Sequence, residues 1–435
     1  MTPLAHADDR FAPPDPAPGG AAAGSGETAA PYDAARCDDF TVPVVRDLCW
    51  LMRSPALLSR GAFGEQLATP FDTGSFGPDA PARLHAVLAR LDADPTPLFD
   101  ALAAAPERRL GRYAERLLAV WLRQMPDVSV VALNLAVREA KRTLGECDAL
   151  FRTAPGRLEH WEMAVKFYLR IDPLRGTRDE PIAPVESVGA ATDDAALGRF
   201  AGCDAYVGVG LADRLDWKLR HLVEHQLPLS QRAELVALGG GAWQARMFVK
   251  GRLFHPLAQW RNTSADGAGG IADDKLHDVR PAMSDSAPAL APDHLRGWWA
   301  TYDEWCAASA GSACRWTTLA RLDGLAPQRI DPARAWSASA FARQLATRFA
   351  SGAPGDDAQR TVAWPVPVVA LPPGMAPDPA VDAGTVRDAD GSVYGGAAVR
   401  DAHDAIGELS RGFIVPNDWP TRARRFRRTG QRHHQ

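Results

Sequence analysis

The stretch LGECDALFRTAPGRLEHWEMAVKFYL, residues 144–169, constrains this chain more than any other. It reads as two strands joined by a tight turn at Ala154-Pro155-Gly156, where proline pre-sets one dihedral and glycine accepts a positive one. From Leu144 to Arg152 the alternation sets Glu146 and Asp148 on one face and Cys147, Ala149 and Phe151 on the other. The second strand sets Trp161, Met163, Val165, Phe167 and Leu169 against His160, Glu162, Ala164, Lys166 and Tyr168. The first of those faces is apolar and is read as core. The second places two charged side chains in the middle of an otherwise buried strand, which is costly unless they have partners or a metal.

Around this pair the chain divides by composition. Residues 1–36 are rich in Pro, Ala, Gly and acids and read as disordered. Residues 37–105 form a helical lead-in, with an amphipathic pattern from Val45 that Ser54-Pro55 ends. The segment 106–260 is read as the core. It opens with the helix Glu107–Met125, whose apolar stripe is Leu110, Tyr113, Ala114, Leu117, Val120 and Trp121, with Glu115 at its margin. A strand over Ser129–Val137, the paired strands, a helix over Leu211–Leu227 and a strand over Trp243–Phe254 follow. Residues 261–292 read as a linker or insertion. Residues 293–420 read as a mixed, tryptophan-rich region, and 421–435 as a basic tail. Tryptophan there serves either a core or base stacking, and the arginines either solvent or phosphates.

The balance of charge, −4 overall, points neither toward nor away from nucleic acid. Five of the 49 basic residues are lysine (Lys141, Lys166, Lys218, Lys250, Lys275) and the other 44 arginine. Where arginine has displaced nearly every lysine, those retained in the core mark places where a compact, tunable ammonium is needed. Six cysteines without CxxC spacing fit reduced thiols in the cytoplasm. The start MTPLAHADDRF has no basic-then-apolar signal pattern, and no apolar run reaches the roughly 20 residues of a membrane span.

The helix, strand, strand, strand, helix, strand order, with GECDALF and EMAVK on neighbouring strands, resembles the PD-(D/E)XK superfamily, the restriction-endonuclease-like fold. The chain as a whole is also similar to an uncharacterised bacterial domain-of-unknown-function family. The resemblance implies an α/β (α+β) core that binds Mg²⁺ or Mn²⁺ and cleaves DNA or RNA. It makes Glu115, Asp148 and Glu162 metal ligands, with Glu146 as a further carboxylate, and Lys166 the amine beside the attacking water. Lys218, His225, Gln226 and Lys250 would line the phosphate side of the cleft. One position departs from the pattern: Ala164 stands two residues before Lys166, where the superfamily has its acid. Glu162 is on the same face but four residues from Lys166, roughly 13 Å along an extended strand against about 6.6 Å for the usual spacing. If the turn sets Asp148 opposite Glu162, their Cβ atoms lie about 5 Å apart, which suits a shared ion.

Two other readings stand beside the nuclease. A degenerate copy of the fold would bind nucleic acid or protein without cleavage. The run His221-Leu222-Val223-Glu224-His225 also fits HxxEH, an inverted zinc-peptidase signature, with a later acid such as Glu304 as third ligand.

Overall fold

A computed structural model describes residues 35–103, 109–140, 142–172, 198–261, 287–350, 363–374, 378 and 405–429. Residues 1–34 and 262–286, which make up most of the stretches read as disordered and as a linker, lie outside these. The strands are β1 Val128–Glu139, β2 Arg142–Thr153, β3 Leu158–Arg170, β4 Tyr206–Gly208, β5 Gln244–Pro256, β6 Leu295–Thr301, β7 Arg315–Thr318, β8 Arg329–Ile330, β9 Trp336–Ser337, β10 Val366–Leu371, β11 Ile406–Gly407 and β12 Ser410–Val415. Ten of them form one mixed sheet in the order β1-β2-β3-β5-β6-β12-β10-β7-β9, with β4 added beside β3, while β8 and β11 pair separately.

Several helices lie before residue 105. Helix α1, Pro43–Arg53, starts on proline and stops at Ser54, because the residue before Pro55 is driven out of the helical region. Helices α2 (Ala80–Ala93), α3 (Thr96–Ala103) and α4 (Leu110–Gln124) follow. The region from 293 onward is not a separate sheet. β5 and β6 pair in parallel from Arg252↔Leu295 to Pro256↔Trp299, so the C-terminal strands extend the same surface. Most of its tryptophans are core, although Trp364 is exposed: Trp298, Trp305 and Trp316 are fully buried, and Trp305 and Trp316 meet edge-on. Most of the basic tail is a helix, α5, Trp419–Thr429. It is packed because Trp419 is buried against Trp299, Phe426 meets Trp217, and Arg427 binds Asp204 at 2.7 Å. No helix among the described residues is long and apolar enough to cross a membrane.

β3 sits in the middle of the molecule and is buried on both faces, not on one. Its Trp161 face carries an aromatic cluster with Trp121 of α4, Phe76, Phe151 and Phe248, at centroid distances of 5.2–6.0 Å. On the other face Ala164 and Tyr168 pack with Leu215, Leu219, Leu222, Met247 and Val249. The Pro155-Gly156 turn forms as read, with Gly156 at φ 83°. A second glycine is required by close approach: a Cβ on Gly251 of β5 would lie 1.9 Å from the carbonyl oxygen of Lys166.

The sheet has one interruption that matters. β2 pairs with β3 from Arg152↔Leu158 to Ala149↔Trp161, and β4 takes up the same edge only at Tyr168. Between them the edge of β3 has no ladder partner among the described residues, while β5 runs unbroken along the other side from Glu159 to Leu169.

Trp161→Ala removes the ring at the centre of the aromatic cluster. We expect a loss of about 3–5 kcal/mol in chemical denaturation. A loss below about 1 kcal/mol would show that β3 is not the packing centre described.

Candidate metal centre

The gap on β3 is filled by side chains that take over the missing ladder. Continuing the register one step places Asp148 opposite Glu162. The Asp148 carboxylate accepts the backbone N–H of Met163 at 2.8 Å, and Glu162 Oε1 accepts the N–H of Asp148 at 3.4 Å. The two acids substitute for backbone carbonyls, which satisfies amides that would otherwise be orphaned at an interior strand edge.

Further charges face the same gap. Glu115 of α4 lies close enough for the charge of Asp148 to act on it. Arg112 bridges Glu115 at 2.7 Å and Glu146 at 3.0 Å. Lys218, on the helix Leu215–His221, is held by Gln226 Oε1 at 3.2 Å and feels the charges of Asp148 and Glu162. Burial is the main force on the acids and like charge adds to it. Asp148 is pushed up to about 7 by burial and then by Glu162, and Glu115 to about 7 by burial and then by Asp148. Glu162, fully enclosed, is pushed up to about 8.

Glu162 is the key member. Its Oε2 is buried and has no hydrogen-bond partner among the described residues. Glu159, three residues earlier and equally buried, shows the contrast. It accepts from Ser75 at 2.6 Å and Trp161 Nε1 at 3.2 Å, and lies 3.6 Å from the buried guanidinium of Arg246. Glu159 has a guanidinium beside it, whereas Glu162 forms no ion pair with a lysine or arginine among the described residues and feels Lys218 only through its charge.

The sites read from sequence are distributed as follows. Asp148, Glu162, Glu115, Glu146, Lys218 and Gln226 face one gap. Lys166 borders it, but its ammonium pairs with Asp213 at 2.6 Å, which also accepts from Tyr168 Oη at 3.0 Å. Lys250 is elsewhere: in register with Val165, it shares the face opposite Glu162, over the ring of Phe248 and bonded to the carbonyl of Ser54. Burial brings its ammonium down to about 7. His225 is exposed, its ring 5.4 Å from that of His221. Glu304 caps its own helix by accepting the N–H of Thr301 at 2.9 Å, and Glu224 faces Arg220. The zinc-peptidase reading therefore has no assembled ligand set among the described residues.

The strict alternation assigned to β2 also fails at one point. Cys147 does not turn away from the charged face. Its Sγ, the His160 ring and the Glu162 carboxylate offer ligand atoms that all lie within 4.8 Å of one another. Glu115 and Asp148 are not part of that tightest set. Burial drives the Cys147 thiol up to about 12 and His160 down to about 4, so both are neutral near pH 7. His160 was legible from its place two residues before Glu162 on one strand face. Cys147 was hidden by a local change of face, and Asp213 by lying in a glycine-rich loop, GVGLAD, far along the chain.

Each raised acid binds a proton more readily in the folded than in the unfolded chain. Its contribution is present at low pH and is lost as pH rises from about 4 through about 8. In chelator-treated protein, stability should therefore fall between about pH 5 and about pH 8.5, and Asp148→Asn should make that fall shallower by on the order of 2 kcal/mol, screening allowed for. Denaturant titrations at the two pH values check this, and an unchanged profile would contradict the coupling.

No curated protein and no solved structure matches the chain. A family model described as a domain of unknown function, DUF1853, matches residues 46–359, more than half of the sequence. The chain belongs to the DUF1853 family.

Proposed function

We propose that this protein is a divalent-cation-dependent nuclease that hydrolyses phosphodiester bonds of DNA or RNA on a restriction-endonuclease-like core. The observation that carries the reading is the buried, partnerless Oε2 of Glu162 beside Asp148, at a break in the sheet that solvent reaches through a half-buried Asp148. Oxygen donors of this kind fit Mg²⁺ or Mn²⁺. Such an ion supplies a nucleophilic water at neutral pH and positive charge beside the phosphate.

The chain's own residues divide the remaining work. Asp148 and Glu162 hold the cation, with Glu115 and Glu146 next to them. Arg112 offsets the charge of that second pair and fixes its orientation through two hydrogen bonds. Lys218, positioned by Gln226, is the ammonium whose charge reaches both central acids, and it stabilises negative charge on the substrate. Lys166, assigned beside the water by the resemblance, is held by Asp213 and shares the edge with Lys218. The arginine-rich helix α5 packs on Trp217, one residue from Lys218, and suits the phosphate backbone. A cytoplasmic setting accompanies this reading, since all six cysteines are free thiols.

A specific observation favours a second reading: with Ala164 at the usual acid position and Lys166 committed to Asp213, the fold would bind nucleic acid without cutting it. One experiment separates the two. Cleavage of labelled single- and double-stranded DNA and RNA is followed with Mg²⁺, Mn²⁺ or EDTA. The nuclease reading predicts metal-dependent cleavage, lowered at least about 100-fold in Asp148→Ala and Glu162→Gln. Binding without cleavage, unchanged by either substitution, would overturn it.

A further inference from the structure

We propose that Cys147, His160 and Glu162 form a binding site for a zinc-class cation, a site distinct in donor chemistry from the all-carboxylate set and sharing with it only Glu162. It stands whether or not the chain is a nuclease.

Three observations carry the assignment. The first is the juxtaposition itself. A thiol, an imidazole and a carboxylate, all three fully buried, present ligand atoms within 4.8 Å of one another. Around a tetrahedral zinc-class ion such atoms stand about 3.3–3.7 Å apart, so the set needs to contract by only about 1 Å. The second is the orientation of His160. Its Nδ1 lies 2.9 Å from Ser230 Oγ and its Nε2 lies 2.8 Å from Glu162 Oε1. The ring is thus held through one nitrogen while the other is aimed at an anionic donor, the usual support for a histidine metal ligand. The third is Glu162 Oε2, buried and without a partner among the described residues.

The donor set decides the class of ion. Sulfur and imidazole nitrogen favour zinc-class cations over magnesium, whose ligands are oxygens. Binding would release the Cys147 thiol proton and any proton shared by His160 and Glu162, forming the metal–sulfur, metal–nitrogen and metal–oxygen bonds with no change of oxidation state. The ion would sit beneath Leu229 and Ser230, on the inner side of the gap.

Cobalt is the probe, because a thiolate ligand gives it a near-ultraviolet charge-transfer band that carboxylates do not. Full-length, chelator-stripped protein is titrated with Co²⁺ and then with Zn²⁺. The expected result is one cobalt per chain with that band and strong visible bands, lost on adding zinc. Cys147→Ser should abolish the band. Ser230→Ala should keep it while weakening binding about 10- to 100-fold. Should Cys147→Ser misfold by circular dichroism, the wild-type spectrum and Ser230→Ala decide. The proposal is overturned if cobalt does not bind, if it binds without the band, or if the band survives in folded Cys147→Ser. Any of these leaves the Mg²⁺ cleavage assay free to succeed or fail on its own.

Discussion

A carboxylate taken out of water either keeps a proton or finds a positive partner, because low dielectric makes an isolated charge too costly. Glu162 is placed under that constraint by the architecture around it. It lies on a strand buried on both faces, at the point where the neighbouring strand departs. Asp148 comes to the same point from the departing strand, and the two acids fill the opened edge by accepting the backbone amides of Met163 and Asp148. The site is thus a consequence of how the sheet splits, and its acids hold the split in place.

The remainder of the chain makes that split possible. The parallel partner β5 holds β3 along eleven registered positions, from Glu159 to Leu169, so the strand stays straight while its other edge is left open. The aromatic cluster around Trp161 anchors one face, and the leucines of the helix carrying Lys218 cover the other. Beneath the aromatic face, Asp72 and Glu159 meet the buried Arg246, so both acids there have a guanidinium beside them. Among the described residues β3 therefore carries two buried acids, one beside an arginine and one without such an ion pair. That difference, more than the number of acids, marks the second as a place for a ligand.

Much of this was legible in the sequence for local reasons. The hairpin was written in Pro155-Gly156 and in period-two alternation, and helix α1 ends where Ser54-Pro55 requires. Glu115, Glu146, Asp148 and Glu162 were readable because charges inside an apolar pattern stand out. What could not be read was set by distant pairing. Nothing near Trp298 says that β6 docks in parallel on β5 across the intervening segment. Nothing near Lys166 announces Asp213, and nothing near Lys250 says that it faces Ser54 beneath α1. Cys147 was assigned to the wrong side because a strand that leaves its neighbour does not keep strict alternation, and alternation is all that a sequence displays.

The account rests on a positive ion belonging between Asp148 and Glu162. An anomalous difference map from crystals of the full chain grown with Mn²⁺ tests it most directly. A peak bonded to oxygens of both carboxylates, with Glu162 Oε2 among its ligands, is the result predicted. An empty map around the two acids, with Oε2 hydrogen-bonded as a protonated carboxyl, would contradict it.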